Sequence, residues 1–512
     1  MVKNTFTYNA IRGNDMADNQ KTEPRDIAQF LKQLKQSSDF KTIQLSIGDK
    51  QLSISYFKTL IDEKLLQSHV ILPLQERALD LDFRQLEDLK TWIPIEDIEM
   101  TGQVESIQAK LLKGCAIAAL DKEVCKYALI QLASIEGLRK NNDTENEFSV
   151  VGPKVGFVES IDTNIGLLRA QINIPTLVVK EILVGRTSKT RVAIIYIDGV
   201  TNKQNVQTVQ QRMEQIDYDV IFDTSQLDQF ISDNSLTPFP LFLSTERRDR
   251  VVYALITGQV AVVSDGSPYF ITGPSTLFDF FLSPEDYYLP WILGSFFRMI
   301  RIFGVIFSLF ATSMYIAITT FHYEVIPRDL LEPLIFSRRN VPFPPLLEVL
   351  FLEITIEFLR EAGARLPTKI GQTLGIVGGI VIGQATVLAG LTSNILVIIV
   401  AFSALASFAT PIYKMSNAIR FLRFPMIFAS SIWGALGLFI GIGFLLVHLT
   451  RLTSLGMPYL VPIHPLRVRD LKDSFIRPSY QFSNKRPSYL RPESSVKYKP
   501  GKVKRKNDLD RE

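Results

Sequence analysis

"IGQTLGIVGGIVIGQATVLAG", residues 370–390, runs for 21 positions without a charge, and Gly371, Gly375, Gly379 and Gly383 recur at every fourth place. A helix of that length rises about 32 Å, close to the thickness of a bilayer's hydrocarbon core. Glycine is a poor helix former in water. In lipid, helices associate through close backbone approach, which a row of glycines permits. The stretch therefore predicts a membrane span with a packing groove. Whether a helix of the same chain or of another subunit fills that groove is open at this point.

Further spans follow on both sides. Residues 302–320 cover roughly 28 Å as a helix, and 391–410 and 424–449 are comparably apolar. Only "GLTSN" separates 370–390 from 391–410, which predicts a tight helical hairpin. The average composition hides this, with 21% charged residues and a mean hydropathy of +0.14 over 512 residues. The charges are concentrated before residue 300 and after residue 450. The fold class expected is a soluble N-terminal region of two similar α/β subdomains in series plus an all-α multi-pass transmembrane domain over 291–465.

A fifth apolar stretch, the acidic helix at 346–361, lies in "LLEVLFLEITIEFLREAGARLP" with Glu348, Glu353, Glu357, Arg360, Glu361 and Arg365. Steps of four place Glu353, Glu357 and Glu361 within an arc of ~80°. Two readings are open. Carboxylates contributed by several subunits favour cations in a pore, which makes these three the pore or gating candidates. Alternatively the helix lies on the membrane surface, with Glu357–Arg360 and Glu361–Arg365 as mutual partners. Lysine and arginine do not fix the orientation. Arg298, Arg301 and a tail with 14 Lys or Arg against 6 Asp or Glu favour both ends inside. Four spans satisfy that but put Lys414, Arg420 and Arg423 outside. A crossing by the acidic helix reverses the conflict.

Before the spans, residues 1–36 read as a flexible lead-in that turns helical near "DIAQFLKQLKQS". The first α/β subdomain occupies 37–136, a polar linker 137–148, and the second α/β subdomain 149–290. Tyr56 matches Tyr196 at an offset of 140, while Gly114 matches Gly258 and Asp121 matches Asp265 at 144. Nearly equal offsets within similar strand patterns suggest a duplication. Residues 466–512, rich in Pro, Ser, Lys and Arg, are expected to be a basic disordered tail lying against anionic lipid. A tethered membrane tail argues against nucleic acid.

Catalytic signatures are missing. There is no phosphate-binding GxxxxGK[ST] loop, no GxGxxG after a strand, and no HExxH or GxSxG. Cys115 and Cys125 form no metal or redox motif and read as core residues in a reducing compartment. His322 with Glu324 reads as a solvated interfacial pair. No enzyme activity, catalytic residue, cofactor or metal is expected. The N-terminus has no apolar signal segment, so the soluble region is expected in the cytoplasm.

The order of residues resembles a known family. "TPFPLFLSTERRDRV", "SPEDYY", "VPFPPLLEVLFLEITIEFLREAGARLPTKIGQTLGIVGGIVIGQA", "FATPIYKMSNAIRFLRFP" and "GMPYLVPIHP" are similar to the A subunit of GerA-type spore germinant receptors. The resemblance covers about residues 40–466. It implies a protein of the spore inner membrane beside a transporter-like B subunit and a lipoprotein C subunit. It also implies a homo-oligomer, a pentamer, forming a nutrient-gated ion channel that triggers germination. The nutrient site is usually placed in the B subunit, and no enzyme activity belongs to the family. The runner-up is a non-conducting scaffold coupling the ligand-binding subunit to downstream effectors. A secondary transporter fits worse, because no inverted repeat is evident.

Overall fold

The computed structural model describes residues 27–48, 50–77, 85–120, 126–133, 144, 147, 151–366 and 368–497. The linker at 137–148 lies largely outside the described residues, as do Cys125, Asp121 and the first 26 residues of the lead-in. Helices of eight or more residues are numbered here.

The chain divides into two compact units, one holding 1–137 with 165–180, the other 138–164 with 181–512. In the first unit a five-stranded antiparallel sheet has the order β1-β2-β4-β5-β3, with β1 Phe40–Ile47, β2 Lys50–Phe57, β3 Ile98–Thr101, β4 Cys115–Leu120 and β5 Tyr127–Gln131. Helix α1 (Ile27–Leu34) and helix α2 (Val104–Leu111) bury Phe30, Leu34, Ile107 and Leu111 against it. The helix falls where the lead-in is expected to turn helical, and Ile27, Phe30 and Leu34 at helical spacing cover a sheet face. Arg169, on helix α3 (Ile161–Gln171), is fully buried in this unit. Its guanidinium forks onto Asp39 at 2.5 and 2.7 Å and reaches Ser37 at 2.8 Å, lying 4.2 Å over the Phe57 ring.

The second sheet repeats the first. Strands β6 (Leu177–Val184), β7 (Thr190–Ile197), β8 (Leu243–Thr245), β9 (Val260–Ser264) and β10 (Phe270–Gly273) are ordered β6-β7-β9-β10-β8. The correspondence extends to register. Leu52 faces Leu120, and the offsets of 140 and 144 carry that pair onto Val192 facing Ser264. Glu99 facing Leu129 maps onto Leu243 facing Thr272 at offsets of 144 and 143. Three helices accompany this sheet: α4 (Lys203–Glu214), α5 (Thr224–Ile231) and α6 (Arg248–Thr257). The matched glycines precede β4 and β9 with φ of +91° and +107°, a conformation glycine adopts without the Cβ clash other residues meet.

Seven helices follow: α7 (Trp291–Thr320), α8 (Arg328–Arg338), α9 (Pro345–Arg365), α10 (Thr368–Leu388), α11 (Asn394–Phe408), α12 (Tyr413–Trp433) and α13 (Ala435–Arg451). Among the described residues one helix, α7, is long and apolar enough to cross a membrane. The expected single span at 424–449 is instead two antiparallel helices. Gly434, at φ +60° and ψ −136°, ends α12 and starts α13, a backbone conformation closed to side-chain-bearing residues. Gly437 then lets α13 press against the Ala429 carbonyl, where a Cβ would collide.

The ends of these helices can be placed. Arg301 on α7 donates to the Phe281 carbonyl and Asp286, Lys414 on α12 reaches Asp228 at 2.8 Å, and His448 on α13 reaches Thr237 at 2.9 Å. The starts of α7 and α12 and the end of α13 therefore share the end occupied by the second sheet. At the other end Phe321 abuts Gly434, and the Tyr315 hydroxyl meets Ser393 at 3.2 Å. Six helices, α7 and α9 to α13, traverse the bundle, and an even number returns the chain to its starting end.

Beyond α13 the chain does not become a disordered tail at 466. Through Lys497 it folds back on the second sheet's unit as a strap that includes helix α14 (Val468–Phe475). Asp473 accepts from Tyr287 at 3.1 Å and pairs with Arg298, and Leu490 is buried. Composition misleads here because a few anchors hold the strap, with Leu490 buried and the Tyr480 hydroxyl donating to the Tyr287 carbonyl, while Val468 and Phe482 stay exposed. Residues 498–512 lie outside the described residues.

Gly437→Val is expected to lower the melting temperature of the detergent-solubilised chain, since the Cβ has no space. Gly443→Ala, where a Cβ meets nothing within 4 Å, should leave it nearly unchanged.

Candidate functional site

The acidic helix α9 runs antiparallel to α12, and the two are joined by charge. Glu353 Oε2 binds Arg423 Nη1, and both side chains are essentially inaccessible, at 1% and 2% exposure. Arg423 Nη2 also donates to Ser308 Oγ on α7 at 2.7 Å. Further along α9, Glu357 lies 3.8 Å from Arg420 Nε, and Arg360 donates to Asn417 Oδ1 at 3.1 Å. Positions 353, 357 and 360 on one helix thus meet 423, 420 and 417 on the other, a ladder of near-regular helical steps. At its far end Glu348 holds Arg338 of α8 at 3.0 Å and accepts from the Ser393 amide at 3.2 Å.

Burying these charges is costly unless each is paired and hydrogen-bonded. The ladder meets that condition incompletely. Glu353 Oε1 and Arg423 Nε have no hydrogen-bond partner among the described residues. A partly satisfied buried network is less stable than an apolar one of the same shape.

The opposite face of α9 is apolar and exposed. Leu347, Phe351, Ile354 and Phe358 follow one another at steps of four, three and four, with Phe358 71% accessible. The helix is therefore inside-out relative to a helix of a water-soluble protein, with Glu348, Glu353 and Glu357 inward and large apolar groups outward.

The sequence-predicted residues fall as follows. Glu353 and Glu357 join the ladder, while Glu361 sits outside it, exposed and paired with Arg365 at 2.6 Å. The intrahelical pair Glu357–Arg360 also forms, at 2.5 Å. Gly371, Gly375, Gly379 and Gly383 all lie on α10. The surroundings of Gly371 and Gly375 lie outside the described residues. A Cβ on Gly379 or Gly383 would meet nothing within 4 Å among the described residues, so none of them covers the groove at those two points. What sequence reasoning missed is Arg420 and Arg423 as partners of the carboxylates. Their three-residue spacing, matched to the four-residue spacing of Glu353 and Glu357, was the available signal.

The sequence profile of the Bacillus/Clostridium GerA spore germination proteins matches residues 28–489. This chain belongs to the GerA family. The GerA-family chain is 46% identical over 487 residues to spore germination protein GerQA of Bacillus cereus, covering 95% of this chain and 97% of that protein. It is 39% identical to spore germination protein A1 of Bacillus subtilis, covering 88% and 93%. Among solved structures, the N-terminal domain of the A subunit of the Bacillus megaterium spore germinant receptor GerK3 is similar at 24% identity and a TM-score of 0.37. That match covers 49% of this chain and 94% of the other. As a GerA-family member the chain is a germinant-receptor A subunit acting in spore germination.

Glu353→Gln alone leaves Arg423 buried against a neutral partner and should destabilise the protein by roughly 3–5 kcal/mol. Glu353→Leu combined with Arg423→Met should recover most of that loss, measured by denaturation in detergent.

Proposed function

We propose that this A subunit forms a nutrient-gated ion path in the spore inner membrane. In this reading the six-helix bundle sits in the lipid as one body, with α7 long enough to span it and the other helices packed around it, and the second α/β unit lies on the cytoplasmic side. The observation that carries this reading is the inside-out character of α9. A helix that hides Glu348 and Glu353 and presents Phe351 and Phe358 outward is stable when its surroundings are lipid or another apolar helix. An even number of traverses supports both ends lying on one side. Lys414 stands at the start of α12, at the α/β end, which agrees with a cytoplasmic placement of that end, while Arg420 and Arg423 are neutralised within the bundle.

Open space beside Gly379 and Gly383 suits a second copy of the chain, which supports a homo-oligomer assembled through α10, as a pentamer. A transporter-like B subunit and a lipoprotein C subunit complete the receptor in this reading. The ladder favours conduction over a rigid scaffold. A scaffold would be better stabilised by apolar packing, whereas an incompletely satisfied ion-pair network has a second arrangement within reach. Separation of α9 from α12 would free Glu353 and Glu357 to face an ion path. Nutrient bound elsewhere drives this only by binding the open arrangement more tightly. The alternative is a non-conducting scaffold that passes the signal to downstream effectors.

Receptors reconstituted in planar bilayers should conduct monovalent cations on nutrient addition. Glu357→Gln should reduce the potassium-over-chloride preference several-fold, read from the reversal potential. If no subunit combination conducts while spores carrying a conductance-dead variant still germinate, the scaffold is correct.

A further inference from the structure

A cavity of about 760 Å³ lies between α6, the segment 276–288 and the C-terminal strap, within the size range of small-molecule sites. It is apart from the charge ladder. Tyr253, Tyr287 and Tyr489 line it. Burial pushes all three hydroxyls above their ordinary range, while each residue as a whole is only partly buried.

The charges on its wall decide what fits. The carboxylates are already engaged. Asp473 accepts from Tyr287 and pairs with Arg298, Asp470 accepts from Ser488 at 2.5 Å, and Asp279 accepts from the Thr276 amide at 2.8 Å. Cations already lie over two of the rings, Lys497 at 4.9 Å from Tyr253 and Arg477 at 5.5 Å from Tyr287. An organic cation would find no free carboxylate and would meet these positive charges.

Two cations are differently placed. Arg486 donates to the carbonyls of Ile256 at 2.7 Å, Ser494 at 3.0 Å and Val496 at 2.5 Å, and to the Ser494 hydroxyl at 3.2 Å. Neither Arg486 nor Lys497 forms a salt bridge to a carboxylate among the described residues. Burial, together with the charge on Arg486, draws the Lys497 ammonium below its usual value even though Asp473 acts the other way.

We propose that this cavity binds a small organic anion, a carboxylate carried on an aromatic or apolar body. Lys497 Nζ holds the carboxylate, and Tyr253, Tyr287 and Tyr489 pack the body. The ligand bridges α6 and the strap, so its binding tightens the strap on the second α/β unit. This reading does not depend on conduction by the helices.

The test uses the full chain in detergent and fluorine NMR titration with 4-fluorophenylacetate. Its amide and 4-fluorophenethylamine serve as uncharged and cationic counterparts. Saturable binding of the acid alone is expected, weakened about tenfold in Lys497→Gln, the scale of one hydrogen bond to a charged group. Lys497→Arg should retain it. Among the described residues Lys497 makes no side-chain hydrogen bond, and a matching melting temperature shows that Lys497→Gln keeps its fold. Equal binding of acid and amide, unchanged affinity in Lys497→Gln, or no saturation below roughly 10 mM overturns the proposal.

Discussion

The helical half depends on Arg423. A guanidinium between Glu353 and Ser308 joins α9, α12 and α7 at one buried point, and the charged helix could not otherwise enter the bundle. Arginine suits this position because its planar fork donates in two directions at once and cannot be neutralised by losing its proton. Serine on α7 completes the geometry without adding charge. Around this point the packing is tight and small-residued, with the Ser403 hydroxyl donating to the Ser308 carbonyl at 3.1 Å and Ser430 to Ser313 at 2.5 Å.

The soluble fold was largely legible, because strand alternation and turn glycines are local properties of the chain. The offsets between Tyr56 and Tyr196 and between Gly114 and Gly258 encode a shared strand order and a shared register. The bundle was less legible. A hydropathy pattern cannot distinguish a single long span from two helices folded at Gly434, since both are uniformly apolar. Lys414, Arg420 and Arg423 looked like loop cations because the carboxylates that neutralise them lie about 60 to 70 residues away or, for Lys414, in a soluble helix. The strap was invisible for a related reason. Arg477, Tyr480 and Arg486 form their contacts with residues about 190 to 230 positions earlier, which composition does not record.

The two sheets are alike, but the ion pairs buried in their units differ. In the first unit Arg169 is held by Asp39 and Ser37, so a helix following the first subdomain in sequence is fixed to its core. In the second, the ion pairs of Arg298 and Arg301 with Asp286 fix the start of α7. The duplicated fold therefore carries two different attachments. Asp39 follows α1, whereas Asp286 lies beyond the last strand of its sheet.

The closed path of the chain has a mechanical consequence. Three helix ends, those of α7, α12 and α13, are fastened to one α/β unit, so that unit cannot tilt without carrying all three. A helix of twenty residues is a rod of about 30 Å. A tilt of about 5° at its fastened end displaces the other end by about 2.6 Å by simple leverage. That distance is comparable to a hydrogen bond, and the rods end beside Gly434 and Phe321, where the backbone turns. The bundle thus acts as a set of levers sharing one fulcrum.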